Sequence, residues 1–308
     1  MVDAGGVGGV GGAGGRVRTI EYLFGPDAEV YRALFLPAVL VACAIAALSS
    51  TLSVVVVLKR MSFIGQGVSH AAFGGVGLAA VLGVGMAGNS WGMLAVVAGF
   101  CVLAAIAIAL LSDRRGERED TAIAVVLVAS MALGALLLHS ARLGSSGARV
   151  PSFEDVLFGS VLAVRWGDAV AAWSVAVVVS AVLWMWRRPV LMWAFDEGAA
   201  PAFGVRATGV RLLMMSMLAV AIVVSMKLAG VVLASALLVI PGASALRLSA
   251  RLAPVFVWSA VLSMVGVAGG LAASFELDTP PGPTMVTMLV LIYVMCALWS
   301  LMRRRAAA

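Results

Sequence analysis

Nine apolar stretches, each near the length an α-helix needs to cross a hydrocarbon layer, divide this 308-residue chain: about 33–57, 61–85, 91–111, 121–140, 168–186, 209–227, 229–246, 254–274 and 283–302. A bilayer core takes roughly 20 such residues per helix. Only helices and closed barrels satisfy their own backbone in lipid, and these runs are continuously apolar rather than alternating. The expected fold is therefore all-α, a polytopic integral membrane protein of about 8–9 transmembrane helices, and the count turns on 61–85 and 229–246.

Composition agrees, since 63% of residues are hydrophobic and 12% charged, against about a quarter charged in soluble domains. The formal charge of +6 is unevenly placed. An N-terminus outside puts Lys59, Arg60, Arg114, Arg115, Arg118, Arg187, Arg188, Arg206, Arg211, Arg247, Arg251, Arg303, Arg304 and Arg305 inside, 14 of the 21 basic residues. That asymmetry predicts N-outside and C-inside, and it accounts for the basic balance without a nucleic-acid partner.

Residues 1–32 form a Gly-rich flexible tail, 33–302 the transmembrane domain and 303–308 a basic C-terminal tail. The tail holds a formal G-x-G-x-x-G match at Gly6 to Gly11, but no strand precedes it and no helix follows, so it does not read as a dinucleotide turn. It also lacks the apolar core and cleavage site of a secretory signal. Cys43, Cys101 and Cys296 are isolated in apolar runs, which suits neither a disulfide framework nor a thiolate metal site.

Two stretches between spans carry information. On the outer side, 141–168 places Phe153, Leu157 and Phe158 at helical spacing, which predicts a short interfacial helix. On the inner side, the piece from Asp196 to Gly204 reads as a short helix opened by acidic residues and closed by glycine, ordered outside the membrane and suited to docking a cytoplasmic partner.

Polar groups inside the spans are few. In a helix over 61–85, Ser62, Gln66, His70 and Gly74 share one face, with the small residues Gly67, Ala71 and Gly75 beside it. An ionisable residue within the bilayer needs water, a partner or a ligand. His70 therefore either bonds a neighbouring helix or serves as a transient ligand of a divalent metal. One His and one Gln are too few for a structural site, which closes four ligands, whereas a transport path needs weak holding. Further on, Pro241 and Gly242 interrupt an apolar run and predict a kink. Glu276 and Asp278, near outer ends, would attract a cation to an outer mouth.

Five segments together resemble the membrane permease of the zinc and manganese importers in the ATP-binding-cassette class: VVVLKRMSFIGQGVSHAAFGGVGLA at 55–79, LFGSVLAVRWGD at 157–168, AFDEGAAPAFGV at 194–205, VVSMKLAGVVLASALLVIPGASALRLSA at 223–250 and FELDTPPGPT at 275–284. The resemblance implies a homodimeric permease that moves zinc, manganese or iron across the bacterial cytoplasmic membrane by alternating access. It implies two partners, a cytoplasmic ATP-binding subunit and an extracytoplasmic metal-binding protein. No cofactor is held permanently, and the divalent ion is the transported substrate. The family's Gly-[Asp/Asn]-x-x-Ser-His motif falls on Gly65, Gln66, Ser69 and His70, so Gln66 and His70 become the expected metal contacts, with Ser69 and Asp278 in weaker roles. Gln66 stands where the family carries Asp or Asn, Gly74 where many relatives have proline, and Gly242 where many have alanine. Residues 194–205 resemble the coupling helix, with Phe195, Asp196, Glu197 and Gly204 facing the ATPase. The chain has no G-x-x-x-x-G-K-[ST] loop, so it is expected to be a transport subunit rather than an enzyme.

Two other functions compete. A permease for a metal chelate such as a siderophore or cobalamin would need an apolar path and no side-chain ligands. A proton-coupled secondary transporter would use His70 as a relay, but such folds usually repeat in two halves, and the Gln66/His70 motif has no second copy.

Overall fold

The computed structural model describes residues 28–84, 90–113, 119–144, 159, 164 and 166–306. Ten α-helices and one 3-10 turn lie among them: α1 (Ala28–Leu58), α2 (Ser62–Val81), α3 (Ser90–Asp113), α4 (Glu119–Gly144), α5 (Trp166–Met185), α6 (Arg187–Phe195), the 3-10 turn Ala200–Phe203, α7 (Ala207–Leu237), α8 (Ile240–Leu248), α9 (Leu252–Leu277) and α10 (Pro281–Ala306). No strand occurs among the described residues, as the continuous apolar runs require. The interfacial helix expected at Phe153, Leu157 and Phe158, and most of the Gly-rich tail, fall outside the described residues.

Eight segments of described residues are long and apolar enough to cross a membrane. α2 is not among them, although its 20 residues reach about 30 Å at 1.5 Å per residue. Gln66, His70 and a run of glycines dilute its apolarity. Protein covers most of it instead: α2 packs against α3, α4 and α7, and 13 of its residues are buried. Eight apolar segments among the described residues fall within the 8–9 transmembrane helices expected, and α2 is a further helix of spanning length.

At the centre run α1 and the first part of α7, whose spanning windows are 72% and 61% buried, whereas the window in α10 is 22% buried. Contacts between helices in lipid depend on close packing and on polar bonds, because lipid tails are as apolar as leucine. Serines supply several. Ser259 Oγ donates to the Ser50 carbonyl at 2.8 Å and Ser263 Oγ to the Ala46 carbonyl at 3.1 Å, fixing α9 antiparallel to α1. The backbone N–H of Gly242 donates to Ser53 Oγ at 2.8 Å, so α1 caps the start of α8. Bonds of this kind contribute about 0.6 kcal/mol each on average.

The interruption expected at Pro241 and Gly242 is present just ahead of the proline, and a second one lies upstream. α7 leaves helical geometry at Gly230 (φ 68, ψ 175), a conformation essentially reserved for glycine, and the chain breaks again at Val239 (φ −121, ψ −51). Pro241 sits in the first turn of α8, where a missing N–H costs nothing. Residues 231–239 therefore form a short helical piece between two interruptions. At Gly242 a Cβ would stand 2.6 Å from the Ser53 carbonyl oxygen, so this close approach of α8 to α1 leaves no room for the alanine that many relatives carry.

Candidate functional site

α2 is held from one side. A Cβ at Gly67 would meet Ile123 at 2.8 Å, at Gly74 the Phe100 ring at 2.7 Å, at Gly75 the backbone of Val97 at 2.9 Å and at Gly77 the Gly134 carbonyl at 2.8 Å. Small residues thus bring α3 and α4 into backbone contact with α2. The opposite face stays open. There Ser62, Phe63, Gln66 and His70 line a cleft of about 390 Å³ together with Val231, Val232, Ser235, Ala236 and Val239 from the interrupted end of α7, and Val286 from α10.

Three of the four residues expected on one polar face therefore do share it. Gly74 does not, because positions four apart drift by about 40° per step on a 3.6-residue helix, and by the fourth member the stripe has turned into the α3 contact. Gln66 is exposed and His70 half-buried, one turn apart along the cleft. Ser69 is fully buried outside the lining, and its hydroxyl has no hydrogen-bond partner among the described residues. Asp278 is an exposed left-handed cap (φ 51) at the end of α9. It lies at the end of the bundle away from the α1–α2 turn, and the structure does not bring it to Gln66 and His70.

Ser235 was not singled out from the sequence. It lines the cleft, and its hydroxyl donates to the Val232 carbonyl at 2.9 Å. The only signal for it was a lone hydroxyl downstream of Gly230, and such serines commonly bond back to their own helix. Among the described residues no group of three or more His, Cys, Asp or Glu could hold a metal ion. The cleft thus offers neutral donors in small number: an imidazole, a carboxamide and hydroxyls.

The segment after α6 is built by its own residues. Asp196 Oδ1 accepts the Ala199 N–H at 2.9 Å, and the Asp196 carbonyl accepts the Ala200 N–H at 3.2 Å. Gly204, at φ 76, closes the 3-10 turn by donating to the Pro201 carbonyl at 3.0 Å. The expected helix opened by acid and closed by glycine is therefore a turn plus one 3-10 piece. Phe195 and Phe203 protrude from it, 63% and 70% exposed. Glu197 turns back instead, and its Oε2 lies 2.6 Å from Lys59 Nζ at the end of α1. The Lys59 ammonium also stands 4.7 Å over the ring of Trp193, which is buried in α6. Burial pushes the Glu197 carboxyl up, but the Lys59 hydrogen bond and charge outweigh it, Trp193 and Arg211 add to them, and the group ends below its ordinary value.

The pattern of the ABC 3 transport family matches residues 31–300 of this chain. The chain belongs to that family. Within it, the chain is 29% identical over 245 residues to the manganese transport system membrane protein MntC of Halalkalibacterium halodurans, covering 80% of each. It is 27% identical over 260 residues to the high-affinity zinc uptake system membrane protein ZnuB of Haemophilus influenzae, covering 84% of this chain and 95% of that one. A solved structure, PsaBC from Streptococcus pneumoniae in complex with Fab, superposes with a TM-score of 0.73 at 25% identity, covering 88% of this chain and 95% of that chain. This ABC 3 family member is a multi-pass membrane protein whose most polar spanning helix carries its open cleft.

Proposed function

We propose that this chain is the permease subunit of an ATP-binding-cassette importer that moves divalent metal ions (zinc, manganese or iron) across the bacterial cytoplasmic membrane. The observation that carries the reading is the pairing of Gln66 and His70, one turn apart on the open face of α2, in a chain of the ABC 3 transport family. Two neutral donors suit a passing cation: they replace part of its hydration shell without holding it as a closed four-ligand site would. Relatives named for manganese and for zinc align over similar lengths, so the metal itself follows from geometry and availability rather than from overall likeness.

In this reading two copies face each other across their α2 clefts. The pair doubles the donor set and shields Gln66 and His70 from lipid, where polar groups are costly. With the N-terminus outside and the C-terminus inside, the Asp196–Gly204 segment faces the cytoplasm, and Phe195 and Phe203 offer apolar anchors to a separate ATP-hydrolysing subunit. Asp278 then lies at the outer mouth, where its charge draws cations delivered by an extracytoplasmic binding protein. ATP binding closes the two ATPase copies, shifts these segments and reverses the exposure of the central path.

Elemental analysis of metal-limited native cells tests the reading, with the gene intact, deleted or carrying His70→Ala. One metal should fall selectively in both altered strains while the variant stays at normal level in the membrane. No fall in any metal on deletion would refute the importer. A fall on deletion alone would make His70 structural and favour a chelate as cargo.

A further inference from the structure

The Asp196–Gly204 segment must pass its motion to α2 if the importer reading holds, yet the buried side chains that seat this region, Val190, Trp193 and Ala194 of α6 and Ala200 of the turn, give it no substantial packing against α2. α6 touches α1, α5 and α7 only lightly, and contact with α2 is not among the substantial helix pairings. A specific polar tie from the segment into the spanning helices is Lys59, and Arg211 of α7 adds its charge to the same Glu197 carboxylate. The Lys59 ammonium reaches Glu197 at 2.6 Å, lies over Trp193 at 4.7 Å, and its side chain is 16% exposed.

Lys59 also opens the turn that starts α2. The N–H groups of Lys59, Arg60 and Met61 donate back to the carbonyls of Val55, Val57 and Val56 at 3.0, 3.1 and 2.9 Å, and the Ile64 N–H donates to the Met61 carbonyl at 3.1 Å. Arg60 is held at φ 60, a left-handed conformation unusual for a side chain of its size. So hydrogen-bonded a turn has little slack. A pull on Lys59 reaches Ser62, the first residue of α2, two peptide units past Arg60, and from there a continuous helix carries Gln66 and His70.

We propose that Lys59 is the positioning residue that links the cytoplasmic segment to the cleft, converting displacement of Glu197 and Trp193 into movement of α2. This rests on the importer reading and adds to it a specific transmission contact. Glu197 then acts inward on its own chain rather than as a contact for the ATPase.

The test uses the complete transporter, with its ATPase and binding protein, reconstituted in lipid vesicles. Metal uptake and ATP hydrolysis are measured on the same preparation for wild type, Lys59→Met, Lys59→Arg and the nearly isosteric Glu197→Gln. The expected result is a tenfold or greater fall in metal moved per ATP hydrolysed for Lys59→Met and for Glu197→Gln. Lys59→Arg should keep at least half of the wild-type ratio, and the ATPase should co-purify with every Lys59 variant. A purely structural lysine would lower uptake and hydrolysis together and leave their ratio unmoved. An unchanged ratio in both Lys59→Met and Glu197→Gln, or loss of ATPase co-purification in step with uptake, overturns the proposal. Failure of the wild-type complex to move any metal would instead strike the importer reading itself.

Discussion

The two faces of α2 differ in what a single added atom would do. Toward α3 and α4, a methyl at Gly74, Gly75 or Gly77 would stand under 3.0 Å from existing atoms. Toward α7 and α10, Phe63 is 66% exposed and Gln66 borders open space. One face fixes the helix as part of a rigid block, and the other is left unfilled for whatever passes. The contrast teaches that the polarity of α2 is tolerated because only one of its faces ever needs to be dry.

The comparison breaks most readily on the closed face. Gly134→Val places a side chain against Phe73, where even a Cβ would come within 2.6 Å of the ring and 2.8 Å of the Phe73 carbonyl. Overpacking of this kind costs about 1–3 kcal/mol or more. Thermal unfolding of the detergent-solubilised protein should show that loss, or the variant should fail to accumulate in the membrane. On the open face the outcome should invert: His70→Ala leaves the melting temperature near wild type while metal accumulation falls by roughly tenfold, the effect of about 1.4 kcal/mol. A large loss of stability in His70→Ala would erase the distinction between the faces.

Finer changes sharpen it. Gln66→Asp restores an anion one turn from His70, so the half-saturating metal concentration should drop severalfold and the maximal rate should fall, measured by isotope uptake at varied metal. Ser235→Ala removes one weak donor from the α7 side and should change uptake by less than about twofold, since its hydroxyl already bonds the Val232 carbonyl of its own helix. The smallest expected effect lies at the cytoplasmic end. Because the Glu197 carboxyl sits below its ordinary value, the tie to Lys59 is fully present above that ordinary value and is lost as pH falls through the lowered one. Protection of the backbone amides across 196–204 against hydrogen exchange, corrected for the intrinsic pH dependence of exchange, should therefore weaken as pH falls below the ordinary glutamate range, and Glu197→Gln should remove that pH dependence.

How much of this was legible depended on the kind of signal. Apolar length located the spans to within a few residues, because burial in lipid acts on every residue of a helix at once. The four-residue spacing correctly paired Gln66 with His70, since both belong to a single continuous helix. It failed at Gly74, where the stripe turns away. The break at Gly230 fell within three residues of the expected boundary between 209–227 and 229–246, though its φ could not be read from the sequence, and Pro241 marked the interruption at Val239. Lys59 looked like one more inner-side cation in a charge census; its pairing with Glu197 joins residues 138 apart in sequence, which no local pattern reports. Asp278 was expected at an outer mouth rather than beside Gln66 and His70, and the structure leaves it as an exposed cap at the end of α9.

α2 also bears on how the chain enters its membrane. Insertion of each helix during synthesis depends on its own apolarity, and α2 is less apolar than the eight segments long and apolar enough to cross. The helices on either side are among those eight: the spanning windows of α1 and α3 have mean hydropathies of 2.4 and 2.9. α2 is thus a passenger, carried across between two strong inserters and then sheltered by α3, α4 and α7. The same glycines that let the finished helix pack so closely leave the nascent one dependent on its neighbours' arrival.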